Sequence, residues 1–267
     1  MKLPQSVPIL TAFTARVAGR EMASLLQSPT ALARALADTQ TVVGHDGVLC
    51  LFDPLLLSTT CIGKQYETSA FSGPRGDGLI APDEILQTAP LATLLESIQA
   101  LRHILSDRAL VFATFAGPGL LWSQLQDTFE SHGMSSDAGS DYVLDVIRNV
   151  VRSSLEMKAD GIALIEQTAP GLPSELRRCH KTVRKLADFY DAGFIIFNLP
   201  GAEDPEPGIP AHCVFDLAPP ENGMGPILGK LESSAASNTP PVTTTGDVLD
   251  STTIEELKTW LKDGRAA

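Results

Sequence analysis

Residues 47–63 read GVLCLFDPLLLSTTCIG, an apolar run that ends at one acidic residue, Asp53, and is followed by a proline and a second apolar run. A carboxylate between two apolar runs lies either at the end of an element, where water or ligand reaches it, or in the core against a partner. The first run has the composition of a buried strand. If the chain contains more strands of this kind, their ends mark the place where a ligand site is expected.

Short runs rich in Val, Ile and Phe alternate with longer segments of helical period, which predicts repeated βα units and a parallel sheet. The predicted strands are residues 7–14, 47–52, 109–115, 161–166, 193–198, 212–216 and 241–246. Helices are predicted between them, with Ser28 as the N-cap of one and Pro29 at its first position. Other helical patterns cover 141–159 and 174–192, the second with a solvated basic face. Pro, Gly or Ser predicts loops at 69–84, 201–211 and 232–241.

These units predict an α/β fold of the TIM (β/α)₈-barrel type in which the last βα unit is missing, built as a single domain over residues 1–267. A barrel one unit short has two open edges. Either residues 55–69 supply another strand, or a second copy of the chain covers the gap, and we favour a homodimer.

Ligand sites in such barrels collect at the carboxyl ends of the strands. Polar residues stand at or just after five of the predicted strands: Asp53, Glu166, Asn198, Asp216 and Asp247. A strand-end acid often caps the next helix or turn, and for Asp216 and Asp247 we favour that interpretation. Because Asp53 precedes an apolar stretch with few local donors, we expect it in the mouth of the barrel, beside a pocket and not engaged as a cap. Alternation along 161–166 places Glu166 on one side with Ile162 and Leu164, and we expect that side to face the same pocket.

Charge and composition exclude several classes of protein. The net charge of −12 leaves no basic face for nucleic acid. No apolar stretch reaches the roughly 20 residues of a membrane span and no signal peptide is recognisable, so no membrane contact and a cytoplasmic location are expected. The cysteines lack the spacing of a zinc site or a disulfide framework, which predicts buried thiols and no metal.

Six segments together resemble the uroporphyrinogen decarboxylase family, whose superfamily includes cobalamin- and coenzyme M-type methyltransferases. They are PILTAFTARVAGR (8–20), GVLCLFDPLLLSTTCIG (47–63), ALVFATFAGPGLLWSQL (109–125), FESHGMSS (129–136), GIALIEQTAPG (161–171) and PVTTTGDVLDSTTIEEL (241–257). The resemblance implies that Arg16 and Arg20 bind substrate carboxylates and that Asp53 is the central aspartate. It also implies that Gly117 belongs to the turn beside the substrate and that Glu166 is the acidic residue of the site.

The resemblance implies a carboxy-lyase that acts on a carboxylate-bearing small molecule other than uroporphyrinogen, with Asp53 and Glu166 as catalytic residues and no cofactor. Substrate contacts are assigned to Arg16, Arg20, Gly117, Asn198, Asp216 and Asp247. A second interpretation is a corrinoid- or folate-linked methyltransferase of the same superfamily. Its zinc-binding branch carries His-x-Cys where this chain reads FNLPG (197–201), so no metal is expected. A third interpretation is a catalytically silent, ligand-binding barrel.

Overall fold

The computed structural model describes residues 3–4, 6–63, 78–167, 172–199, 213–216, 226–228, 243–245, 255 and 258–259. Its main feature is a five-stranded parallel sheet. The strands, in chain order, are β1 (Gly47–Leu49), β2 (Leu110–Ala116), β3 (Gly161–Glu166), β4 (Gly193–Asn198) and β5 (Cys213–Asp216). Each strand pairs with the one that precedes it in the chain. Five predicted strands are thereby confirmed, and their carboxyl ends lie at one edge of the sheet.

Helices connect the strands. They are α1 (Thr11–Ala18), α2 (Met22–Leu25), α3 (Pro29–Val43), α4 (Leu56–Cys61), α5 (Leu91–Leu105), α6 (Pro118–Ser131), α7 (Ser136–Glu156), α8 (Ser174–Arg177) and α9 (Cys179–Phe189), with a 3₁₀ turn at Ile85–Gln87. Ser28 accepts a hydrogen bond from the Ala31 backbone N–H, so the predicted N-cap of α3 is confirmed. The segment 174–192 divides into α8 and α9, where one continuous helix is predicted.

Both faces of the sheet are buried. On one face, side chains such as Ile162, Leu164 and Ile196 join a large core shared with the helices. The other face carries a smaller apolar cluster composed of Leu49, Phe112, Ala163, Ile195, Phe197 and Phe215, together with Val7 and Ile9. A parallel sheet in sequential order with helices against one face is consistent with an incomplete TIM-type barrel. The described residues do not form a closed barrel.

The predicted first strand, 7–14, is wrong over most of its length. A single bridge residue, Ser6, precedes it, and α1 begins at Thr11. Pro8 has no N–H to give to a ladder. The Thr11 hydroxyl donates to the Phe52 carbonyl (3.2 Å) and accepts from the Phe52 N–H (3.0 Å), so a side chain takes the place of ladder hydrogen bonds.

Two further predictions need correction. The 241–246 segment contains β7 (Thr243–Thr245), which pairs antiparallel with an unpredicted strand, β6 (Pro226–Leu228), and so does not extend the parallel series. Residues 55–69 do not supply the missing strand over the part that is described, because 56–61 form α4. The predicted loops 201–211 and 232–241 and the first part of 69–84 lie outside the described residues, and 78–84 contain no helix or strand.

Candidate functional site

The strand register brings together the backbones of three of the five strand-end residues. The register pairs Glu166 with Asn198 across β3 and β4, and Asn198 with Asp216 across β4 and β5. Asp53 follows β1 by four residues at the same edge. Asp247 lies outside the described residues. The carboxyl edge of the sheet therefore carries a row of polar residues, as the sequence predicts.

Glu166 forms the best-defined polar cluster at this edge. Its Oε1 lies 2.7 Å from Nε2 of His180 on α9, and its Oε2 accepts a hydrogen bond from the Gly119 backbone N–H at 3.1 Å. The Gly119 N–H belongs to the first turn of α6, where unpaired N–H groups favour a carboxylate. Glu166 and His180 are only 4% and 8% exposed. Each carboxylate oxygen of Glu166 is therefore hydrogen-bonded inside the protein.

The alternation predicted for β3 is correct, but the surroundings of Glu166 differ from the expectation. Ile162 and Leu164 face the helix layer, and Glu166 on the same side meets α6 and α9. Glu166 lines neither the cavity bordered by His45 and Cys50 nor the one bordered by Tyr190, and the pocket expected beside it stays a prediction. Glu166 joins two helices to the end of β3.

Gly117 and Gly119 permit this contact because neither has a side chain. A Cβ built at Gly117 would overlap Oε1 of Glu166, and one built at Gly119 would lie 2.8 Å from its Oε2. The Gly117 N–H also donates to the Ile165 carbonyl at 2.7 Å. Gly117, predicted as a substrate contact, is seen here as the place where the chain passes close to Glu166.

Asp53 is engaged locally, which corrects one part of its prediction. Its Oδ1 accepts a hydrogen bond from the Leu55 N–H at 2.7 Å, an Asx-type turn that leads into α4. The Pro54 carbonyl accepts from the Gln124 side-chain amide of α6 at 3.0 Å, which ties this turn to the neighbouring helix. Asp53 is half-buried, and it lines neither the cavity bordered by His45 and Cys50 nor the one bordered by Tyr190.

The two predicted substrate arginines lie at and just beyond the end of α1. The Thr11–Phe52 hydrogen bonds anchor the start of this helix to the residue before Asp53. The Arg16 guanidinium lies over the Phe13 ring at 4.6 Å, and both Arg16 and Arg20 are exposed. The structure therefore attaches the helix that leads to both cations to the carboxyl end of β1.

Aromatic rings cover the other face of the sheet near this edge. The Phe52 and Phe197 rings meet edge to face, with centroids 5.4 Å apart, and Phe197 stacks on Phe215 at 5.0 Å. Phe52 is half-buried, whereas Phe197 and Phe215 are fully buried. Phe52 also directly precedes Asp53, so it links this aromatic cluster to the carboxylate.

Three of the four cysteines are buried thiols, as predicted. Cys50, Cys61 and Cys179 form no disulfide. Burial raises the pKa of Cys61 to about 12, against a smaller lowering effect of its hydrogen bond with Tyr142. Burial, followed by the charge of Glu166, raises the pKa of Cys179 to about 12. These thiols are unsuited to act as nucleophiles.

His180 is the site residue that the sequence interpretation missed. It follows Cys179 within a basic run, and nothing in that run marks it as the partner of a strand-end carboxylate. A sequence signal for His180 was present, because Leu176 and Val183, which flank it at helical spacing, mark the buried side of the segment.

Within the described ranges, no group of three or more His, Cys, Asp or Glu residues could hold a metal ion. No helix in those ranges is long and apolar enough to cross a membrane.

Comparison with known proteins adds a likeness of fold. No protein-family model and no curated protein matches the chain. Among solved structures, a methyltransferase from Methanosarcina mazei aligns with a TM-score of 0.54 and 18% sequence identity. The alignment covers 74% of this chain and 66% of that protein, so the chain matches slightly less than two thirds of the relative's length. At this identity the similarity establishes the fold alone.

Proposed function

We propose that the chain is an enzyme of the superfamily that contains the uroporphyrinogen decarboxylases, and that it removes a carboxyl group from a carboxylate-bearing small molecule. The observation that carries this proposal is the attachment of α1 to Phe52. Through it, exposed Arg16 and Arg20 belong to a segment anchored next to Asp53 at the carboxyl edge of the sheet. Two cations and one carboxylate suit a substrate that carries carboxylates on a ring able to become positively charged.

The proposed reaction proceeds through a cationic ring. A solvent proton adds to an electron-rich ring carbon of the substrate, and Asp53 stabilises the resulting positive charge. The bond between the acetate methylene and its carboxylate then breaks, CO₂ leaves, and the electron pair of that bond neutralises the ring. A second proton completes the methyl group as the first proton is lost from the ring. Arg16 and Arg20 orient the remaining carboxylates.

In this proposal Glu166 and His180 are positioning residues. Both Glu166 oxygens are hydrogen-bonded within the protein, and the pair is buried. The role of Glu166 and His180 is to hold the start of α6 and the buried side of α9 against the end of β3. Asn198 and Asp216 complete the row of polar residues at this edge, and no cofactor takes part.

Methyl transfer is the second candidate, and the fold match to a methyltransferase favours it. A corrinoid or a folate would then be the methyl carrier, and the carboxylates at the strand ends would stabilise a cationic donor. A folate carrier that is protonated at its methyl-bearing nitrogen is cationic, so the same carboxylates would serve that reaction as well.

The test is a comparison of two assays on the same purified protein. CO₂ release is measured with a panel of aryl and pyrrole acetates that includes uroporphyrinogen, and methyl transfer is measured from methylcobalamin and methyltetrahydrofolate. The proposal expects CO₂ release that Asp53→Asn abolishes and that Arg16→Gln weakens through KM. Asp127→Asn, an exposed carboxylate on α6, is the matched control and should leave turnover unchanged.

Methyl transfer without CO₂ release would establish the second candidate in place of the first. If no substrate or carrier is turned over or raises the melting temperature, the protein is a catalytically silent barrel and the enzymatic proposal fails.

A further inference from the structure

The solvent side of α9 carries a cationic stripe that ends in an exposed aromatic ring. Arg178, Lys181, Lys185 and Phe189 recur at intervals of three, four and four residues, which places them along one face of the helix. The opposite face, with Cys179, Val183 and Ala187, is buried. All four stripe residues are exposed, and Phe189 exposes 82% of its surface. We call these four residues the α9 stripe.

The cations of the stripe are poorly neutralised by the protein itself. Within the described part of the chain, neither Lys181 nor Lys185 forms an ion pair. The acid best placed for Lys185 is Asp188, and Arg184 occupies both of its oxygens at 3.0 Å. Arg178 has Glu175 as an electrostatic neighbour. Like charges in a row repel one another, so the stripe has no stabilising value for the monomer.

The end of the stripe adjoins a cavity. The Phe189 ring meets the Tyr190 ring edge to face, with centroids 5.2 Å apart. Tyr190 in turn lines a cavity of about 350 Å³ at the amino ends of β2, β3 and β4, whose wall also includes Leu110, Leu155 and Lys158. Lys158 makes no ion pair in the described residues either. The surface therefore runs from a line of cations to two exposed rings and then to a partly apolar recess. Its charged groups are Lys158, Asp191 and the Arg102–Asp160 ion pair (3.2 Å), so the apolar end of a ligand and not its carboxylates suits the recess.

We propose that the α9 stripe and this cavity bind an acidic protein segment that ends in an apolar side chain. From Arg178 to Phe189 the helix rises about 16 Å, at 1.5 Å per residue, which an extended segment of about five residues spans. Carboxylates of the segment would follow the cations, and its apolar side chain would pack on Phe189 and Tyr190 at the mouth of the cavity.

The charge of the whole molecule selects this partner over larger polyanions. The chain carries a net charge of −12, so an extended nucleic acid or an anionic membrane would meet repulsion from the surface around the stripe. A short peptide responds mainly to charges within a Debye length, about 8 Å at physiological salt, and therefore experiences the local positive field.

The experiment measures binding of a fluorescent peptide of about six residues, a run of glutamates that ends in phenylalanine, by anisotropy at low and high salt. Lys185→Glu and Lys181→Glu should each weaken binding by about fivefold or more. Phe189→Ser should weaken it as well, and a peptide with serine in place of phenylalanine should bind the unaltered protein more weakly. Arg34→Glu changes the charge equally at an exposed site on α3 and should leave binding unchanged.

Absence of binding at low salt would overturn the proposal, as would an equal loss in the Arg34→Glu protein. Tighter binding to single-stranded DNA or to phosphatidylserine vesicles than to the peptide would assign the surface to a different class of partner and would also refute it. The readout is binding alone, so failure here is separate from failure of the proposed enzymatic activity.

Discussion

Replacement of Gly117 by alanine tests the packing at the carboxyl edge. The φ of −77° and ψ of 173° at Gly117 suit alanine, so any cost comes from space and not from backbone strain. The new methyl group would overlap Glu166 Oε1 and lie 2.9 Å from its Cγ. Glu166 must then shift away from His180 and the Gly119 N–H. Loss of a buried charge-assisted hydrogen bond costs about 1.5–3 kcal/mol and overpacking about 1–3 kcal/mol, so we expect about 3 kcal/mol of lost stability.

Urea denaturation followed by circular dichroism gives the free energy of unfolding. Gly78→Ala is the matched control because its Cβ would meet nothing within 4 Å, and it should change stability by less than about 0.5 kcal/mol. In a Glu166→Ala background the overlap disappears, so Gly117→Ala should cost about 1 kcal/mol or less there. Equal costs in the two backgrounds, or a Gly117→Ala protein as stable as the unaltered one, would refute the close approach of Gly117 and Glu166.

Three other predictions concern the contact of His180 with Glu166, the buried thiols and the oligomeric state. His180→Ala should destabilise the protein by about 3 kcal/mol because it leaves Oε1 of the buried Glu166 carboxylate without its hydrogen-bond partner. His103→Ala, at an exposed site, should be close to neutral in the same urea assay. Cys61 and Cys179 have pKa values of about 12, so at pH 8 they should react with iodoacetamide roughly a thousandfold more slowly than an ordinary thiol. Unfolding in urea should restore the ordinary rate. Rapid labelling of the native protein would contradict the burial of these thiols. The chain should be a dimer by light scattering at micromolar concentration, with an interface above about 1,000 Å², and a monomer of 28.4 kDa that is unchanged on dilution would exclude this.

The parts of the fold that local sequence determines could be predicted. The strands β2, β3 and β4 are continuous apolar runs buried on both faces, which is the pattern that a parallel sheet requires. The start of α3 is encoded by Ser28 and Pro29. The ends of these strands can be placed from the same apolar runs. The row of polar residues at one edge of the sheet can therefore be predicted as well.

Contacts between distant segments could not be predicted in the same way. Residues 7–14 have the composition of a strand, but Pro8 and the hydrogen bonds of Thr11 with Phe52 favour a helix from Thr11 onwards. The partners of Glu166 come from α6 and α9, and only the folded chain shows that Gly119 and His180 meet it. Alternation indicated the side on which Glu166 lies, but not whether that side faces a ligand or the helix layer.

The central claim is that the carboxyl edge of the sheet binds a carboxylate-bearing molecule beside Asp53. A crystal structure of the protein soaked with a ring polycarboxylate, such as benzene triacetate, tests it most directly. We expect the ligand at the carboxyl end of β1, with its carboxylates on Arg16 and Arg20 and its ring beside Phe52 and Asp53. A ligand bound only at the opposite edge of the sheet, or no ligand at a saturating concentration, would contradict the account.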